Sequence, residues 1–462
     1  MHNVPFGVAA ARLRFGKNSF IMVADNESAE EERPMPAVHE HVLDNGMTIL
    51  CFPQNHLHSL QFGLYLKGGA IYENRKNQGV CHLVEHLCFR ALGGLGADAL
   101  NARWDRMGTE MEGATYPEAV TFAMKTHPRC FDDALDLFLR FFADVAWTQE
   151  DIDAVKPVVL RQIEQEEDDF DELVDRRFRR TLTGAYPVMG TPESIQEMTA
   201  ATVRRWQRLL FQPRNACLCM TGNFSQAMED AVVQSFEELT NAFDEPAFRQ
   251  PTPVGLCRRD NRSDLVQVEE GGQAKVSLAF DLDDDRVFPL VGEVLSAITG
   301  ENNDSLLFQA LREEEALVAE IDSVIEHVGV FSRLTIRYDV RQEHLCESLR
   351  KVVTLLHKLT LYVKPARLDE TRMQFTQNLA FYLDEAADMN ELMGWSYLAD
   401  DLSRCDLDAS AQMYGDLTCE DLLDAAQTVF RPENLTISVQ YDPAQCDGDL
   451  HQTIAAVREM LV

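Results

Sequence analysis

No stretch of this sequence is apolar for long enough to cross a bilayer, which takes about 20 residues of helix, so no membrane span is expected. A secretory signal is not expected either. Arg12, Arg14 and Lys17 lie in an acid-free stretch, but no apolar core with a small-residue cleavage site follows. Paired CxxC cysteines are missing, and the eleven cysteines are an odd set. That pattern suits a reducing compartment, so a cytoplasmic protein is expected. Positive charge is scarce: 42 Lys and Arg face 76 Asp and Glu, a net charge of −34. Phosphates would be repelled, which excludes nucleic acid as a partner. The acidity serves solubility, and an acidic surface would also attract basic peptides. With 462 residues and 45% hydrophobic content, the chain can build two sizeable cores.

Against these absences stands one dense motif, His82-Leu83-Val84-Glu85-His86. Positions i and i+4 share a helix face, so His82 and His86 can bind one Zn²⁺. Glu85 is one step off that line and can act as general base on a water at the metal. HxxEH inverts the order of the HExxH zinc-protease motif.

The chain also repeats itself. Phe211-Gln-Pro-Arg-Asn215 precedes the apolar Ala-Cys-Leu-Cys-Met, and Phe430-Arg-Pro-Glu-Asn434 precedes Leu-Thr-Ile-Ser-Val, with Thr199 and Thr418 at equal distances before them. Each copy reads as a helix, a proline turn and a buried strand, in which Cys217 and Cys219 serve as small core residues. Such a long offset points to domain duplication rather than a solenoid. The expected organisation is a mobile lead-in over 1–37, a first domain over 38–243, a Pro- and Arg-rich linker over 244–264, and a homologous domain over 265–462. Within the first domain, 41–53 reads as a hairpin turning at Asn45-Gly46 and 60–67 as a strand. The helix of the motif is expected over 82–92, a strand over 121–124, and an amphipathic helix over 131–142. Mixed strands and helices in both halves give an α+β class.

These features together resemble the pitrilysin family of inverzincins, which includes insulin-degrading enzyme and the mitochondrial processing peptidase. Gly68-Gly69-Ala70-Ile71-Tyr72-Glu73 is similar to the family's strand and loop before the motif, and Gly190-Thr-Pro-Glu-Ser-Ile195 to its mid-domain signature. Ser305-Leu-Leu-Phe308 and Leu311-Arg312-Glu313 resemble the start of the second domain's central helix. The resemblance implies two homologous domains, each a mainly antiparallel sheet covered by helices, that form half of a clamshell. It implies zinc, peptide hydrolysis in a closed chamber, and pairing with a second copy or a related subunit.

On that resemblance the third zinc ligand is a glutamate, and Gln162 occupies its position in Val158-Val-Leu-Arg-Gln-Ile163. A supporting glutamate seven residues earlier is replaced by Val155. A neutral amide oxygen is a poorer donor to Zn²⁺ than a carboxylate, so affinity should fall. Glu164 points to the wrong side of a helix. Glu166 shares the face of Gln162 but lies one turn away, about 6 Å along the axis, and is the acid that could substitute. In catalytic members an arginine and a tyrosine seven residues later reach the active site. Arg312 matches the arginine, and Ala319 stands at the tyrosine position. The strand expected to hold peptide reads Glu112-Gly113-Ala114-Thr115, with Glu112 favouring basic substrates. Two functions follow: a zinc endopeptidase subunit with Glu85 as base, or a non-catalytic subunit that completes an active partner's chamber. A zinc-binding chain without peptidase activity is a third.

Other candidates are weaker. Cys81 and Cys88 flank the motif but read as buried packing. Gly93-Gly-Leu-Gly96 lacks the lysine of a phosphate loop. Asp281, Asp283 and Asp285 match the first positions of a calcium loop, but Arg286 and Gly292 break it, which leaves a solvated turn.

Overall fold

The computed structural model describes residues 37–144, 146–167, 169–183, 186–239, 264–282, 289–328 and 331–461. All but the last residue of both the expected lead-in and the expected linker lie outside them, as do Asp283 and Asp285. Of those two motifs, Asp264 is described and pairs with Arg458, and Asp281 binds Arg333 at 3.0 Å.

The hairpin forms as read: His39–Val42 pairs antiparallel with Thr48–Pro53, and Gly46 turns the chain at φ 87°. That conformation suits glycine, and a Cβ there would also meet Arg214 Cβ at 2.9 Å. The hairpin opens a six-stranded sheet in the order His39–Val42, Thr48–Pro53, Ala216–Gly222, Leu60–Lys67, Ala119–Thr126, Met111–Thr115. All pairings are antiparallel except Thr48–Pro53 with Ala216–Gly222.

A second sheet runs Leu265–Val268, Leu435–Tyr441, Gln273–Leu282, Phe331–Arg341, Val318–Val328; its one parallel pair again involves the strand after FxPxN, and only the first sheet's extra edge strand His39–Val42 has no counterpart. The duplication read from the two FxPxN segments is therefore a duplication of topology. Phe211 and Phe430 each end a helix, Ala200–Leu210 and Cys419–Val429, and Thr199 and Thr418 cap the starts. The Asn215 amide donates to Leu210 O at 3.0 Å, and that of Asn434 to Val429 O at 3.1 Å. Each asparagine thus occupies carbonyls that a helix end leaves open, just where the proline forbids another turn.

The strands of the first sheet are apolar on both sides because both sides are covered. Phe62 and Leu64 face the first domain's helices, and Phe62 stacks on Phe138 at 5.3 Å. On the other face, Leu50, Phe52, Tyr65, Cys217 and Cys219 pack against Met389 and Met393 of the second domain's helix Ala386–Leu398. Buried Asn390 latches that helix down, donating to Cys219 O and Thr221 Oγ1 at 3.1 Å each. Gly63 makes room for it, since a Cβ there would come within 2.0 Å of Asn390 Oδ1.

Several boundaries differ from the sequence reading: the strand expected over 121–124 runs Ala119–Thr126, and the hairpin begins at His39 rather than 41. The motif helix spans Val80–Arg90 rather than 82–92, because Glu73 caps its start and Ala91 turns extended. The helix from Phe131 ends at Leu139 and tightens into a 3₁₀ turn over Arg140–Phe142, a usual way to finish a helix. The segment at Phe308–Glu314 winds as a π-helix.

Candidate metal and peptide site

The motif helix Val80–Arg90 has no Ser, Thr, Asp or Asn at its start. Glu73 does the work from a preceding loop: Gly79 N donates to its Oε2 at 2.6 Å and Cys81 N to its Oε1 at 2.9 Å. Burial pushes the Glu73 carboxyl up to about 7, although these two backbone donors pull it down. Gly79 sits at φ 84°, and a Cβ there would strike Met189 O at 2.4 Å. From the same segment, Ser194 Oγ donates to Gln78 O at 2.9 Å. The two glycine-containing signatures flanking the motif in sequence thus meet at the start of its helix and fix its position.

On that helix His82 and Glu85 are buried and His86 is half-buried. The helix Gln149–Glu167 crosses beside it and brings Gln162 between the two imidazoles. Gln162 Oε1 lies 3.1 Å from His82 Nε2 and 3.0 Å from His86 Nε2. Ligands around a tetrahedral zinc at 2.0–2.1 Å stand about 3.3 Å apart. The amide oxygen therefore already stands at nearly the ligand-to-ligand spacing from each imidazole, and the positions fit zinc. The donor set is neutral, with two imidazoles and an amide. Val155 is buried in the first core, so it adds no charge. The helix carries Glu166 one turn on, but that side chain lies outside the described residues.

Burial raises the Glu85 carboxyl, but the hydrogen bond and charge of His82, the charge of His86 and the Thr115 hydroxyl outweigh it and hold it below its usual value. Burial and the neighbouring His82 lower His86, against the pull of Glu85 and Gln162. Glu85 is thus kept as a carboxylate, and His86 is biased toward the uncharged form that a metal needs. His82 Nδ1 stands 3.1 Å from Glu85 Oε2.

Met111–Thr115 is the edge strand of the first sheet, so one row of its backbone groups is open to another strand. Glu112 is exposed, and Gly113, Ala114 and Thr115 are half-buried. Thr115 Oγ1 donates to Glu85 Oε2 at 3.1 Å. Gly113 lets the strand approach the helix: a Cβ there would lie 3.1 Å from Glu85 Oε1 and 2.6 Å from the Phe89 ring. The structure thereby brings His82, Glu85, His86, Gln162, Gly113 and Thr115 together. Arg312 lies over the Phe308 ring at 4.7 Å and beside Glu313, and Ala319 is exposed on Val318–Val328. Cys81 and Cys88 are buried, and burial holds both thiols well above their usual range, which fits packing rather than nucleophilic roles.

The Glu73 cap escaped the sequence reading, since a capping carboxylate six residues before Gly79 has no local signature.

Two family models match the chain: Insulinase (Peptidase family M16) over residues 52–191, and Peptidase M16 inactive domain over residues 197–375. The Helicobacter pylori protein named zinc protease PqqE is 22% identical over 434 residues, covering 91% of this chain and 96% of that one. Subunit 1 of the bovine mitochondrial cytochrome b-c1 complex is 21% identical over 250 residues, 52% of each chain. In fold, the chain is similar to a crystal structure of a Helicobacter pylori protease, with a TM-score of 0.79 and 20% identity over 88% of this chain and all of that one. No described helix is long and apolar enough to cross a membrane.

Proposed function

The chain belongs to the M16 peptidase family, the pitrilysin and insulinase group, with both N- and C-terminal domains present as half of an M16 clamshell, and we propose that it is a zinc-dependent endopeptidase subunit that cleaves peptides in a paired chamber. The observation that carries this reading is the meeting of His82 Nε2 and His86 Nε2 on one oxygen, at 3.1 and 3.0 Å, beside a carboxylate held ionised.

His82, His86 and the Gln162 carbonyl would hold the zinc. When bound, zinc supplies the positive charge that polarises a peptide carbonyl and acidifies water. Peptide would pair with the open edge of Met111–Thr115, which fixes its backbone without reading its sequence. Glu85 accepts the proton of the attacking water on its carboxylate and returns it to the leaving amine. Thr115 holds that carboxylate in place from the peptide-bearing strand. Exposed Glu112 and the net charge of −34 favour basic peptides. Pairing with a second copy or a related chain supplies the other half of the chamber, and a related chain would also bring the arginine–tyrosine pair that this chain, with Ala319, does not complete. A cytoplasmic setting is part of this reading on the cysteine pattern alone.

A second reading is favoured by Gln162 itself. With a neutral third donor, Val155 in the core and Ala319 on the second domain, the chain could serve as a non-catalytic subunit that binds peptide beside an active partner. Peptide cleavage by the purified chain, alone and with a related partner, separates the two. Under the first reading Glu85→Gln abolishes cleavage. Cleavage that ignores Glu85→Gln assigns the chemistry to the partner.

A further inference from the structure

At the other edge of the first sheet lies a cluster that the peptidase site does not use. His39 and His41 are two apart on the edge strand His39–Val42, so their side chains share one face. Cys51 is the direct cross-strand partner of His39 and lies on that face too. From above, the helix Gln226–Glu237 lowers Glu229 onto the same point. The Glu229 carboxylate is 2% exposed, with Oε1 2.7 Å from His41 Nε2 and 3.1 Å from His39 Nδ1. The ligand-capable atoms of His41, Cys51 and Glu229 all lie within 4.8 Å of one another.

We propose that His39, His41, Cys51 and Glu229 form a second metal site, for a divalent ion of the zinc class. Two imidazoles, a carboxylate and a thiol are the donor types that such ions select, and four of them suit a tetrahedral site. Around a central ion, neighbouring N, O and S donors stand about 3.3 to 3.7 Å apart. His41, Cys51 and Glu229 would draw together from their 4.8 Å spread, His39 would swing in from its contact with Glu229, and the short His41–Glu229 hydrogen bond would open to admit the ion. Unlike Gln162, Glu229 brings the negative charge that a divalent cation calls for, and the thiolate would bring more. A pocket lined by His39, Asn223, Ser225 and Glu229 gives the ion a way in.

The site is separate from the HxxEH centre. His39–Val42 and Met111–Thr115 are opposite edges of a six-stranded sheet, five strand spacings or about 24 Å apart. The ion would pin the hairpin at 39–53 to the helix Gln226–Glu237, and its role is therefore structural.

The test uses the full chain carrying His82→Ala, His86→Ala and Cys446→Ser, so that neither the HxxEH centre nor the Cys346, Cys446 and Asp447 cluster can load, with Co²⁺ as the probe. One equivalent of cobalt is expected, with a sulfur-to-cobalt charge-transfer band in the near ultraviolet. Adding Cys51→Ser removes the band, and adding His39→Ala with His41→Ala weakens binding at least tenfold. The two histidines are partly exposed, so those variants decide the matter if Cys51→Ser does not fold. A chain that takes up no cobalt, or cobalt binding indifferent to all three substitutions, overturns the proposal. Neither result bears on peptide cleavage, which Glu85→Gln tests.

Discussion

Gln162 Oε1 stands 3.0 Å from His86 Nε2, at the point where a metal-ligating carboxylate would be. Geometry and charge therefore disagree at this site: the oxygen is in place and the negative charge is missing. Gln162→Glu changes only the charge, so it should tighten zinc by on the order of tenfold or more. Competition against a chelator of known affinity measures this. An unchanged affinity would show that Gln162 does not face the metal.

Thr115 links the edge strand Met111–Thr115, proposed above to pair with peptide, to Glu85 through one hydrogen bond of 3.1 Å. A hydrogen bond to a charged group contributes about 1.5–3 kcal/mol. Thr115→Val keeps the shape and removes the donor, so kcat should fall roughly tenfold or more while KM moves little, because strand pairing is backbone-mediated. Steady-state kinetics on a basic peptide give the split. A rise in KM with kcat intact would assign Thr115 to binding instead.

Much of this arrangement was legible in the sequence where the signal is local. Gly46 marked the hairpin, and the spacing of His82 and His86 put both on one helix face. Phe211 and Phe430 announced the duplication because a proline turn after a helix needs a side chain such as Asn215 or Asn434 to close the helix end. The position of Gln162 followed from family resemblance. What stayed hidden acts across long separations. Asn390 bonds Cys219 from 171 residues away, and its partners are backbone groups that carry no sequence mark. Glu73 caps a helix from a loop, outside the residue types and spacing that signal a cap. Leu60–Lys67 read as a strand and Ala216–Gly222 as a buried one, but neither showed that a helix from the other domain would cover the sheet's second face.

That interdomain cover yields a stability prediction. Asn390 is buried, its amide donates to Cys219 O and Thr221 Oγ1, and the Tyr65 hydroxyl donates to its carbonyl at 3.1 Å. Asn390→Leu strips the two amide donors and leaves buried acceptors without them, at about 1–3 kcal/mol each. Thermal or urea unfolding should show a loss of about 2–4 kcal/mol. If only the second domain's transition moves, the latch does not couple the two domains. If both move together, it does.

Glu73 makes the pH prediction. Burial raises its folded value to about 7 from the ordinary 4.5, so the native protein holds a proton that the unfolded chain has released. Its contribution to stability is fully present below 4.5 and is lost as pH rises through 7, a swing of up to about 3 kcal/mol. Glu73→Gln cannot titrate. Its amide oxygen can still accept from one of Gly79 N and Cys81 N, but its NH₂ faces the other donor, so the variant should melt lower throughout. The informative quantity is the wild-type Tm minus the variant Tm in metal-free protein. That difference should shrink from pH 4.5 to 7 and then level off. A difference that is flat with pH would mean that Glu73 is ionised in the folded state across this range, and that its two backbone donors outweigh its burial.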